Sequence, residues 1–214
     1  MGLISNGTTI FDAGALDSGL AKGAMTFIKK LTASSSGTLS FVNGASNVVL
    51  DSTYKEYLFT FNSIHPGADS QHIGFQASTN TGSSYGVATT STLFRGYHAE
   101  NDSDSGVAYR ADYDVDQGTG FIPLADGIST GADNDQTVSG YIHLFNPSST
   151  TFVKHFMATM QSSGAGAGDS AGASDKTFTA GYFNTTADIT AIQFKQSSGN
   201  LDSGKIKLYG IKDA

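Results

Sequence analysis

Apolar and polar residues alternate with period two through most of the chain, and helical spacing is nearly absent. The clearest stretch is Val138–Met160, V-S-G-Y-I-H-L-F-N-P-S-S-T-T-F-V-K-H-F-M-A-T-M. On its first arm Val138, Gly140, Ile142 and Leu144 alternate with Ser139, Tyr141, His143 and Phe145. On its second, Phe152, Phe156, Ala158 and Met160 share one face, and Val153, His155, Met157 and Thr159 the other. Alternation bounded by turn residues predicts a β-hairpin. At its turn Pro147 fixes φ and Asn146 can bond its own backbone. Both arms carry large apolar groups on both faces, which predicts a central hairpin with a sheet on one side and partial cover on the other. A register pairing His143 with His155 would make the two imidazoles cross-strand neighbours.

Further strands are predicted over 24–32, 38–42, 54–64, 71–79, 90–98, 176–183, 189–195 and 204–211. Turn residues such as Asn43-Gly44 and His65-Pro66-Gly67 separate them. Residues 99–137 read as an irregular Asp-rich excursion with a short strand near 107–113, and 163–175 as a flexible low-complexity loop. In the last strand Ile206 and Leu208 face inward, Lys205, Lys207 and Tyr209 outward, and lysines on a terminal strand blunt an exposed edge. The pattern predicts an all-β fold, an antiparallel β-sandwich of jelly-roll type with about ten strands. Residues 1–22 are Gly-rich with spaced apolar residues. Gly14, Gly19 and Gly23 would each cost about 1 kcal/mol in a helix. An extended N-terminal arm is therefore expected, with residues 23–214 as the sandwich domain. Its Leu3, Ile4, Ile10 and Phe11 need a surface to lie against, either their own domain or a neighbouring subunit. They are the candidate subunit-contact residues.

Composition narrows the chemistry. A chain of 214 residues suits one all-β domain. At that size roughly 70% of the unfolded surface can be buried without disulfides. Cysteine is absent, which excludes a thiol nucleophile and thiolate zinc sites. Charged residues make up only 14% of the chain, against about 25% in ordinary domains. Of 19 acids, 17 are Asp, a turn residue rather than a helix-face residue. The net charge of −7 and the lack of a Lys/Arg cluster argue against nucleic acid as a partner. No apolar run is long enough to predict a membrane span, and no basic-then-apolar leader is visible, so neither a membrane partner nor export is expected.

Asp112-Tyr113-Asp114-Val115-Asp116 looks like the start of a helix–loop–helix calcium site, but Gln117 and Pro123 stand where Gly and Glu are required. Asp112, Asp114 and Asp116, or Asp102 and Asp104, are the carboxylates an irregular calcium site would use. Solvated turn aspartates are the expected state, with no metal and no cofactor. Two histidines of one hairpin make at most half a tetrahedral site. Neither a Gly-x-Ser-x-Gly elbow nor a phosphate-cradling loop occurs in a strand-to-helix context, so the chain is not expected to be an enzyme. Tryptophan is absent, which leaves Tyr85, Tyr97, Tyr109, Tyr113 and Tyr141 as rings that could serve as stacking platforms, with Tyr97, Tyr109 and Tyr113 as the candidate glycan or receptor contacts. Sheet packing and loop anchoring are the competing roles for these rings.

Four stretches carry a resemblance. They are Ser52-Thr53-Tyr54-Lys55-Glu56-Tyr57 running to Asn62-Ser63-Ile64-His65-Pro66, the hairpin residues His143–Phe156, Ala180-Gly181-Tyr182-Phe183-Asn184-Thr185, and Ser203-Gly204-Lys205-Ile206-Lys207-Leu208-Tyr209-Gly210-Ile211. Over roughly residues 25–212 the chain resembles structural proteins of marine tailed bacteriophages. The shared motifs are structural, so no functional residue carries over. The resemblance implies a non-enzymatic virion component on the particle surface, a tail-fibre or tail-associated module or a capsid decoration protein. It would contact other virion proteins and form a homo-oligomer, a trimer being favoured, with the arm as anchor. The alternative is a receptor- or glycan-binding module for host attachment, taking a host surface glycan.

Overall fold

Where the sequence alternates the backbone is extended, and where Gly, Asn and Ser gather it turns. The structure, a computed structural model, describes residues 2–12, 15–16, 23–126, 131–165 and 172–213. Three short strands make up the arm: β1 (Leu3–Ser5), β2 (Thr8–Asp12) and β3 (Ala15–Leu16). The first half of the domain holds β4 (Met25–Thr32), β5 (Leu39–Val42), β6 (Glu56–Pro66), β7 (Ile73–Ser78) and β8 (Thr89–Ala99). Next come β9 (Ser105–Tyr109), a 3-10 turn at Ala111–Tyr113, β10 (Val115–Gly118) and β11 (Ile122–Pro123). The second half holds β12 (Val138–Phe145), β13 (Lys154–Ala165), β14 (Gly172–Phe183), β15 (Ala191–Gln196) and β16 (Leu201–Ile211). Among the described residues the fold is thus all-β.

Every strand pairing is antiparallel. The large sheet has nine strands in the order β10-β8-β14-β13-β12-β6-β16-β4, with β9 also paired to β8. The small sheet has four, in the order β11-β7-β15-β5. The two pack as a sandwich around aromatic side chains. Phe194 of β15 contacts Phe41, Phe59, Phe61 and Phe75, and Phe75 reaches Phe156 and Phe183. All seven rings are buried, each contributing about 1.5–3 kcal/mol through removal from water.

Several expectations are corrected. The arm is not extended: β1 folds onto β2 through Asn6-Gly7, whose φ of 48° and 75° make the two-residue turn that this dipeptide favours. The linker at 17–22 lies outside the described residues. The hairpin is central, but the strand resumes only at Lys154, so His143 pairs with Met157 and not with His155. β16 is not an edge: it lies between β6 and β4, and β4 is the edge. The low-complexity stretch continues the β13–β14 ladder to Ala165↔Gly172, because a ladder needs only backbone groups. Residues 166–171 lie outside the described residues. The Asp-rich excursion supplies β9, β10 and β11, so the strands outnumber the about ten predicted. Its residues 127–130 also lie outside the description.

Candidate binding face

Antiparallel register lines up the outward side chains of the large sheet in rows running across the strands. One row reads Tyr109, Phe94, Phe178, Thr159, Tyr141 and Thr60. The next reads Thr92, Ala180, Met157, His143, Leu58 and Tyr209. The second row is extended by Phe27, whose ring meets that of Tyr209 edge-on at 5.6 Å. Phe94 and Phe178 stack at 4.9 Å. Between them and Tyr141, His143 and Phe145 lies a depression of about 390 Å³ with Met157 in its lining. Towards the other strand ends the face turns polar, with His98, Ser174, Gln161 and Ser139.

The exposed large apolar residues are concentrated in two places. Three belong to the arm (Leu3, Ile4, Phe11) and seven to the outer face of the large sheet (Met25, Phe27, Phe94, Val107, Tyr109, Tyr141, Met157). Phe152, in the turn before β13, is the remaining one among the described residues. Ile10, the fourth arm candidate, is half-buried.

On the opposite side of β8 a charged cluster pins the 110–126 segment. Arg95 reaches Asp175 at 2.7 Å and Asp126 at 3.0 Å, and both carboxylates are fully buried. Arg110 also binds Asp126 and grips Asp112 through two hydrogen bonds of 2.8 and 3.0 Å. The Asp112 bond pushes the Arg110 guanidinium pKa well above its ordinary value, and Arg110 in turn holds the Asp112 carboxyl below the usual range. His72 packs edge-on against Tyr113 at 5.1 Å, and its burial lowers the imidazole pKa, opposed in part by the charge of Asp126.

The three candidate tyrosines are not brought together. Tyr109 joins the outer row and donates a hydrogen bond to Asp114. Tyr97 lies under the Arg95 guanidinium at 4.5 Å, and Tyr113 under that of Arg110 at 4.7 Å. The aspartate triplet is dispersed as well. Asp112 is held by Arg110, Asp114 accepts the Leu93 N–H at 3.0 Å, and Asp116 is exposed on β10. Among the described residues no three His, Asp or Glu side chains gather where a metal could be held.

The sequence reading did not single out Phe94, Phe178, Met157 or Phe27. Its available signal was apolar residues on both faces of β8 and β13, where Leu93 and Phe156 already fill the core. The arrangement around the aromatic row can take up flat or apolar surface. No protein-family model, no curated protein and no solved structure matches the chain.

Proposed function

We propose that the chain is a non-enzymatic structural protein of a tailed-bacteriophage virion. In this reading it sits on the particle surface as a tail-fibre, tail-associated or capsid-decoration module. It works through contacts with further copies of itself and with other virion proteins. One observation carries the reading: exposed apolar side chains collect on the arm and on one sheet face instead of being scattered singly, as they are on most monomers. The quoted resemblance supplies the setting.

We read the fold as a jelly roll with two insertions, and the nesting of its strand pairs supports this. Eight strands pair first with last: β4 with β16, β5 with β15, β6 with β12 and β7 with β11. That is one long hairpin rolled into two sheets. The insertions, β8–β10 and β13–β14, pair with each other and widen one sheet beyond β12. They build the face that carries the aromatic row.

The test is assembly. Purified protein should sediment as an oligomer, and deleting residues 2–22 should abolish attachment to other subunits or to particles lacking the protein, with the melting temperature unchanged. Full-length protein that stays monomeric and binds no particle sinks the reading. A second reading, glycan attachment, is favoured by the open row Tyr109–Phe94–Phe178 ending at Tyr141, since aromatic faces stack on sugar rings. Saturable glycan-array binding lost in Tyr141→Ala and Tyr109→Ala would support it, and a blank array removes it.

A further inference from the structure

We propose that copies of this chain associate head to tail, the β4 edge of one large sheet meeting the β9–β10 edge of the next. The inference rests on the subunit-contact reading above and adds to it the surfaces that meet.

The two edges are complementary. Lys30, Lys205 and Lys207 stand on outward positions of β4 and β16, and Lys30 is directly opposite Lys207 in the ladder. Like charges placed opposite one another destabilise a sheet. Among the described residues no carboxylate lies within ion-pair distance of any of the three. Among the described residues the subunit therefore carries a basic row with no anion of its own beside it, although the net charge of the chain is −7. Beside the row, Met25 and Phe27 are each 55% exposed.

At the other end of the sheet the signs reverse. β9 and β10 lie in tandem along the free side of β8. Asp102 and Asp104 precede β9, and Asp116 lies in β10, all three exposed. Asp102 is bonded to the exposed His98, and among the described residues neither Asp104 nor Asp116 has an ion-pair partner. Val107 and Tyr109 of β9 are 82% and 62% exposed. Each edge thus pairs two exposed apolar side chains with one sign of charge, beside a strand edge that no described strand pairs. Proteins normally cover such an edge, and the matching edge of a second copy covers it with opposite charge. Because the two edges differ, the contact is heterologous and generates a ring where the rotation closes.

Charge exchange on the full chain tests this. One variant carries Lys30→Glu, Lys205→Glu and Lys207→Glu, and the other Asp102→Lys, Asp104→Lys and Asp116→Lys. Each has edges of a single sign and should sediment as a monomer where wild type assembles. An equimolar mixture should reassemble, which also shows that both variants are folded, and added salt should weaken assembly in wild type and mixture alike. If both variants assemble like wild type, the edges are not the interface and the subunit reading stands without them. If wild type and mixture are monomeric at every concentration, the edge contact falls, and the subunit-contact reading falls with it where wild type also binds no particle.

Discussion

Lys154 places a charged side chain in the core. Its side chain is completely buried on the inner face of β13, and its ammonium donates to the Thr185 carbonyl at 3.1 Å. Burial lowers its pKa, and the charge of Asp188 opposes that shift only in part. In the unfolded chain the amine keeps its proton up to about pH 10.4. Between the folded pKa and that value the unfolded state binds more protons, so stability rises with pH across this window. Replacing the lysine with a side chain of similar shape and no charge removes the penalty. Lys154→Met should therefore be more stable than wild type at neutral pH by on the order of 1 kcal/mol. That advantage should shrink as pH rises from neutral to about 10, because the folded wild type gives up its proton before the unfolded chain does. Urea unfolding at the two pH values measures it, and an equal difference at both would show that the buried charge is not the cause.

Among the elements, the 110–126 segment is fastened by a few polar atoms. Pro123 and Leu124 are held through their carbonyls by Thr179 and Thr177, and Asp126 bridges Arg95 and Arg110. Asp126→Asn leaves the buried Arg95 and the half-buried Arg110 facing a neutral amide, with Asp175 and Asp112 as their remaining partners, a loss of about 3 kcal/mol. Asp112→Asn should cost under about 1 kcal/mol, because that carboxylate is exposed and its pair is screened. Similar losses for the two variants in denaturant unfolding would show that the bridge is not what fastens the segment. This element also marks where the sequence stopped being informative. Strands such as β6 and β12 were legible because burial on one face imposes alternation. β10 and β11 are two to four residues long and are held by side chains from β8 and β14, distant in sequence. Arg95 and Asp175 lie 80 positions apart, so no local pattern announces them. Neighbour order failed for the same reason. Alternation gives a strand its faces but not its partners, so β16 looked like an edge and the aromatic row became visible only with the register.

At the scale of the whole molecule, stability and contact surface are separated. The core lies between the two sheets, under β6, β12, β13 and β16 of the large one, whereas among the described residues the arm's strands pair only with each other. Local opening is governed by buried apolar contact, so it should be graded across the fold. Hydrogen exchange on dilute subunits should find amides of β12–β14 and β15 protected to the global limit, and those of β1 and β2 exchanging fast. The proposed assembly would add buried surface without altering the core. At assembling concentrations, protection should then rise along the arm, β4 and β9, and stay constant in β13 and β15. A uniform rise across all strands would mean that association stabilises the fold globally. In that case the surface residues would not be acting as a contact layer laid over an independently stable sandwich.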